Sequence, residues 1–313
     1  MIRKHLKTTT LLVVITLCTS TLSFGQLPST GVSSSGVLDG VYVQEHIPTK
    51  RVVQYTHLRE ADVMWSKRIW RTIDLREKMN HPLFYPEEPL ADRMSLWDVI
   101  KYVVLDEGSL TIYKLGLEQD DKFRNPIKPT NGNINDPAYR KVLDGYFGEI
   151  TVGPKLDEND DPMIDPDTGD EILDSTSVPY TAMEIIKYEL KEDWFFDKQR
   201  SVMDVRIIGI SPVIYGKNPE TGVIMGYKNL FWLYFPECRY VFQNFFVYNR
   251  QNDAMRMSFD DLFWKREFSS YIHKETNVFD RGVSQTWDGI DALLESKRIK
   301  QEMFKIEHDV WHL

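Results

Sequence analysis

The sequence predicts an α+β fold: a mostly antiparallel sheet flanked by helices, with a smaller N-terminal helical region. Three observations carry this. Met183 to Lys191 alternates, with Ile186, Tyr188 and Leu190 on one side and Lys187, Glu189 and Lys191 on the other, the period of a half-buried strand. Val202 to Tyr215 is rich in β-branched residues, and Val223 to Phe235 returns after Asn218-Pro219-Glu220-Thr221-Gly222. In that turn proline presets φ early and glycine admits positive φ late. Capped helices alternate with these hairpins in no regular βαβ order, which favours segregated layers over a parallel sheet.

The chain begins with Arg3, Lys4 and Lys7, then an apolar run from Leu11 to Leu17 and small residues up to Gly25. This is the pattern of a secretory signal peptide over 1–25, cut before Gln26. The run is too short to span a bilayer, which takes about 20 residues. Cys18 follows Leu17, where a lipid-attachment motif wants a small residue. No second apolar run approaches membrane length, so no direct membrane span is expected. Loss of the leader removes three basic residues and no acid, moving the formal charge from −9 to −12. That balance disfavours nucleic acid, which requires a concentrated basic face. Only Cys238 would survive export, so no internal disulfide is available and the thiol reads as buried and inert.

Gln26 to Thr56 is an extended N-terminal arm (26–56), Ser/Gly/Pro-rich from Gln26 to Leu38. It reads either as an arm to a neighbour or as a flexible leader. His57 to Met79 reads as a helix, with Trp65, Ile69 and Ile73 four apart and Val63 and Trp70 seven apart. It opens an N-terminal helical α/β region over 57–148. Asn80 to Leu90 is a Pro-punctuated loop. Ser95-Leu96-Trp97-Asp98 resembles a capping box, opening a helix that stops near Gly108. Leu110 to Lys114 is a short strand. Asp136-Pro137 starts a helix to about Phe147, and Glu149 to Val152 is a strand. A domain of antiparallel sheet with packed helices is assigned to 149–282. Within it, Asp157 to Asp174 is an acidic run, read either as a calcium loop with an incomplete ligand pattern or as a solvated hairpin tip. Pro236 starts a helix to Phe245. Met257-Ser258-Phe259-Asp260-Asp261 caps another, which buries Phe259, Leu262 and Phe263. The segment 283–313 is a C-terminal helix, whose stripe is read as Ile290, Leu293 and Leu294, then Ile299, Met303 and Ile306.

No catalytic motif stands out. The chain lacks a G-x-S-x-G elbow, an H-E-x-x-H pair, a phosphate loop and a C-x-x-C pair. His308 and His312 have metal-pair spacing but no third ligand nearby. The stretch Lys191 to Arg200 sets three aromatics among charges. It admits an acid/base set (Glu192, Asp193, Asp197), a structural turn, or a binding centre. No catalytic, cofactor or metal residue is assigned. The candidate protein-interface residues are Trp65, Trp70, Trp194, Phe195, Phe196, Arg200, Trp232 and Trp264, since Trp and Arg are enriched at binding hot spots.

KEDWFFDKQRSVM with VRIIGI and LFWLYFPECRYVF resembles the GldN/PorN family. So do DDLFWKREFSSYIHKETNVFDR (260–281), GVLDGVYVQEH (36–46) and WSKRIWRTIDLREKMNHPLFYP (65–86). That family belongs to the type IX secretion and gliding-motility machinery of the Bacteroidetes. The resemblance implies a non-enzymatic structural subunit of a periplasmic ring. The ring would be held at the outer membrane by a GldK/PorK-type lipoprotein and contacted by the periplasmic domain of a GldM/PorM-type motor protein. It would support protein secretion and, in gliding species, motility. The alternatives carried by the residues alone are a carbohydrate- or envelope-binding module and a glycan-acting enzyme.

Overall fold

A computed structural model describes residues 51–310 apart from 91–92, 117–121, 130–131, 155–172, 219–220 and 253. The signal peptide, most of the arm, the acidic run up to 172, and Trp311 and His312 lie outside the described residues. In chain order the elements are β1 (Val63–Asp74), α1 (His81–Phe84), α2 (Leu96–Tyr102), β2 (Ile112–Tyr113), β3 (Pro126–Ile127), α3 (Pro137–Phe147), β4 (Gly148–Pro154) and β5 (Leu173–Pro179). They continue with β6 (Ile185–Asp197), β7 (Val202–Lys217), β8 (Ile224–Asn229), β9 (Trp232–Tyr234), α4 (Phe235–Phe242), β10 (Phe246–Val247), β11 (Met257–Ser258), α5 (Phe259–Trp264), β12 (Tyr271–Glu275) and α6 (Gly289–Val310).

The principal sheet runs β12-β1-β6-β7-β9-β2-β3, with β8 also paired to β7, and every pairing in it is antiparallel. The α+β expectation therefore holds. The hairpin between β7 and β8 closes as the turn residues require. Gly222 sits at φ 65 and its N–H donates to the Asn218 carbonyl at 2.8 Å. The returning chain is two strands rather than one. β8 and β9 both pair with β7, and the chain breaks step at Leu230 and Phe231, both buried.

The predicted helix over 57–79 is instead β1. It lies inside the sheet, flanked by β6 and β12. The apolar spacing that suggests a helix is ambiguous here. Steps of four and eight are even numbers, so Trp65, Ile69 and Ile73 also share one face of a strand. Val63 and Trp70, seven apart, then fall on opposite faces. The content of β-branched and aromatic residues decides the matter in favour of a strand. Likewise, Lys191 to Asp197 is not a loop but the second half of β6. The turn is confined to Lys198–Ser201.

The helix starts agree with their sequence signals. Ser95 accepts from the Asp98 N–H at 3.1 Å, and Asp136 from the Ala138 N–H at 3.2 Å. Ser258 and Asp261 cap each other reciprocally at 3.1 and 3.2 Å. The turn after α2 ends at Gly108, φ 66. Residues assigned to 57–148 and to 149–282 share one core. Ile73, Trp97 and Leu143 belong to the same buried cluster as Leu190, Ile210, Phe235 and Phe263. Aromatic rings fill much of it. Trp97, Phe147 and Phe231 stack at centroid distances of 5.0 to 6.3 Å, and Phe263 touches Phe235, Phe242 and Phe268 at 5.3 to 6.0 Å.

Strand register puts Ile69, Arg71 and Ile73 of β1 on the same face as Tyr188, Leu190, Glu192 and Trp194 of β6. On that face a second, smaller cluster joins Ile69 and Ile272 to Ile299 and Met303 of α6. Between the two clusters sits Glu192, 0% exposed. Its carboxylate accepts from Arg71 Nε at 3.0 Å, Arg266 Nη2 at 2.8 Å and the Trp194 indole N–H at 2.9 Å. Both guanidinium groups lie near the Trp194 ring, at 5.5 and 5.6 Å. Burial lowers the Arg71 pKa from its usual range, and Glu192 opposes that shift. Arg266 reaches the carboxylate from a left-handed backbone, φ 56, just beyond the end of α5. A side chain there costs on the order of 1 kcal/mol relative to glycine, which the ion pair offsets.

Truncating Glu192 strands one buried and one half-buried cation. Glu192→Ala is therefore expected to cost about 3–5 kcal/mol. Arg200→Ala removes an exposed guanidinium and leaves Asp197 its hydrogen bonds from the Gln199 and Arg200 backbone N–H groups, and is expected to cost under ~1 kcal/mol. Urea denaturation of the two variants measures both, and equal losses would refute the assignment of Glu192 as the junction.

Candidate interaction surface

The first described segment, Arg51 to Arg59, has no regular secondary structure and is held by side chains. Tyr55 is its anchor. Its ring lies 5.5 Å from that of Trp264, with the Arg239 guanidinium 4.5 Å from the Tyr55 centroid and 4.7 Å from that of Trp264. Arg206 approaches the same tyrosine at 5.1 Å and donates to the Thr56 carbonyl. Arg239 is buried and fixed by Asp260 at 2.8 and 3.3 Å. Gln54 donates to the Tyr240 hydroxyl at 3.0 Å. Burial raises the Tyr55 pKa, with the nearby Arg239 opposing. The phenol therefore stays neutral and the contact is a cation–π box.

The other face of the sheet is a lattice of cations on aromatic rings. Trp70 lies 4.7 Å from Lys274 Nζ and 6.0 Å from Lys191 Nζ, both on neighbouring strands. Lys187 Nζ is 3.5 Å from the Tyr227 ring and 3.3 Å from the Tyr271 hydroxyl. Arg68 pairs with Asp193 through two bonds of 2.6 and 2.8 Å. A cleft of about 940 Å³ borders this lattice, walled by Trp65, Arg68, Trp70, Asp193, Phe195 and Arg206 among others.

Of the eight candidate interface residues, Trp70, Phe195 and Phe196 are buried within the chain. Trp65 and Trp194 are half-buried and pack on the cluster that holds Ile69 and Ile299. Trp232 is half-buried too, and its ring lies 3.1 Å from the position a Cβ would take at Gly209. Only Arg200 and Trp264 stand open to solvent. The three carboxylates of the acid/base reading are each committed elsewhere. Glu192 is the buried junction and Asp193 pairs with Arg68. Asp197 accepts from Arg200 Nε at 2.6 Å and from the Gln199 N–H at 2.9 Å, and the Arg200 bond holds its pKa below the usual carboxylate range. Cys238 is buried, and burial pushes its thiol well above the ordinary range. No cluster of three or more metal-ligating side chains occurs among the described residues. No described helix is long and apolar enough to cross a membrane.

Apart from Trp264, open apolar surface lies at positions that carry no candidate residue. On the β7–β8 hairpin, Val223, Ile224, Met225 and Tyr227 are exposed, Met225 to 78%. On α6 the stripe splits. Ile299 and Met303 dock on β12, while Ile290, Leu293 and Leu294 of the same helix face outward with Phe304. The expected single stripe is two stripes on opposite sides.

The family model described as Gliding motility associated protein GldN matches residues 58–312. The chain belongs to the GldN family. The match covers the whole described sheet, including all eight candidate residues. Among curated proteins no match is found.

Two outcomes follow. Tyr55→Ala is expected to speed tryptic cleavage after Arg59 by about tenfold, as release of a local contact worth ~1.4 kcal/mol would. Tyr55→Phe, which keeps the ring, should leave the rate unchanged. Cys238 is expected to resist maleimide in the native chain and to react fully in denaturant, a contrast that mass spectrometry of the labelled protein reads directly.

Proposed function

We propose that this GldN-family chain is a structural subunit of a periplasmic ring serving type IX protein secretion and gliding motility. In this reading a GldK/PorK-type lipoprotein ties the ring to the outer membrane, and the periplasmic domain of a GldM/PorM-type motor protein contacts it. The chain itself does no covalent chemistry. The observation that carries the reading is the family match over 58–312. The surface supports it. A closed ring of many copies requires heterologous contacts between two different patches on each copy. The exposed apolar hairpin of β7–β8 and the outward stripe of α6 are two such patches, carried by different elements. The disposition of Glu192, Asp193 and Asp197 in separate ion pairs favours scaffolding over acid/base catalysis.

Affinity purification of the tagged chain from envelope extracts is expected to bring down the lipoprotein and further copies of the chain. Deletion of the gene is expected to abolish secretion through the pathway and surface gliding. Recovery of the chain as a lone monomer, with secretion intact in the deletion strain, would end the reading.

A further inference from the structure

We propose that β8 of one copy of the chain pairs edge to edge with β1 of the next copy, at residues 64–67, so that the sheet runs on from copy to copy. The inference rests on the self-assembly reading above and adds which surfaces meet and through which bonds.

β1 is covered unevenly. β6 pairs with it from Val63 to Asp74, whereas on its other side β12 pairs only with Ile69, Trp70, Arg71 and Thr72. The last bond on that side runs from the Thr276 N–H to the Arg68 carbonyl at 3.0 Å, and the chain then turns through Asn277 and Asp280. Backbone groups alternate between the two sides of a strand. The N–H and C=O of Ser66 therefore point the same way as those of Arg68, and they meet no backbone partner there among the described residues. Ser66 is exposed. The cleft of about 940 Å³ lies along this edge. Trp65, Met303 and Ile306 wall it on the helix-covered face, and Trp70, Phe195 and Arg206 on the other. Space on both faces of an open strand edge is what an incoming strand requires.

β8 carries the matching edge. The Leu230 N–H donates to the Pro212 carbonyl at 3.0 Å, and the register sets Lys228 opposite Ile214 and Tyr227 opposite Tyr215. By the same alternation Lys228 turns its backbone towards β7. Tyr227 turns its backbone outward, where no described strand receives it. Residues 224–228 are all exposed, with apolar side chains at Ile224 and Met225 and the ring of Tyr227 among them. An open apolar edge of this kind is a template for strand pairing.

Polarity selects the partner. The β1–β6, β6–β7 and β7–β8 pairings are each antiparallel, so β8 runs opposite to β1. Copies related by rotation about one axis keep the same face of the sheet on the same side. β8 then meets the next β1 antiparallel, with no strand reversed. The side chains agree with this. Tyr227 and Ser66 belong to the face that carries Lys187, Arg68 and Trp70. Lys228, opposite the core residue Ile214, lies on the helix-covered face, the one from which Glu302 of α6 borders the cleft. Backbone bonds supply the adhesion and the cleft walls supply the register, as in other strand additions. Because the two edges differ, the contact propagates head to tail. Two β8 strands paired about a two-fold axis would close after one contact and leave the cleft empty.

The test uses cells that export two tagged full-length copies, one with Ser66→Cys and the other with Met225→Cys. Cys238 is buried, so a short bismaleimide reports the introduced thiols. It is expected to link the two tags to each other and neither to its own kind. Tyr227→Pro, added to the second copy, removes an outward N–H and no bond to β7. It should cut the linked fraction about tenfold or more, while Tyr227→Ala keeps it within about twofold. Hydrogen exchange needs no variant. The Ser66 and Tyr227 amides should exchange about tenfold slower or more in assemblies than in the separated chain. Equal losses for the two Tyr227 variants, links joining two Met225→Cys copies, a link from Ser66→Cys to the lipoprotein in place of a second copy, or assemblies without slowed exchange at these amides would each overturn the proposal and leave the ring reading standing. A chain that is monomeric throughout would overturn both.

Discussion

Glu192 is the point at which the fold is tied together. Its carboxylate joins a strand from the N-terminal part of the described chain, the centre of β6 and the turn just beyond α5, across a separation of 121 residues to Arg71 and 74 to Arg266. The two apolar clusters on the helix-covered face meet at this group, so neither closes without it. Two guanidinium groups around one carboxylate leave a net positive charge in a dry place, an arrangement tolerated only with good geometry and further hydrogen bonds. The Trp194 indole supplies both, donating to the carboxylate while its ring lies near the two cations. An aromatic placed among charges in the sequence is thus an organising residue of the interior.

The same logic extends to the opposite face. A sheet with helices on one side usually presents simple polar residues to solvent on the other. Here lysines and arginines lie over Trp70, Tyr227 and Phe195 instead. Long aliphatic stems cover the sheet while the charged ends find ring faces or carboxylates. Such a face stays rigid without a second helical layer. Apolar area remains uncovered on the hairpin edge, on α6 and at Val278 and Phe279 between β12 and α6.

Local signals were the legible part. Serine and aspartate caps, the Gly222 turn, the Gly108 stop and the buried side of α5 were all readable within windows of four to eight residues. β1 was misread because its apolar spacing fits both periods, and composition was the better guide than periodicity. The order of the strands was not readable, since β1 meets β6 and β12 through pairings that no local pattern encodes. Aromatic density does not tell buried from open positions, and of the eight interface candidates Trp70, Phe195 and Phe196 are buried within the chain and Trp65, Trp194 and Trp232 half-buried. The outward stripe of α6 was in the sequence all along. Ile290, Leu293 and Leu294 cannot share a face with Ile299 and Met303, and separating them on a helical projection would have revealed it.

The position of β1 has a consequence for how the molecule is made. Its two neighbours are supplied by segments far along the chain, Arg71 meeting Glu192 across 121 residues and Thr72 meeting His273 across 201. Such non-local pairing makes folding slow, because β1 has no strand partner until two distant segments are both in place.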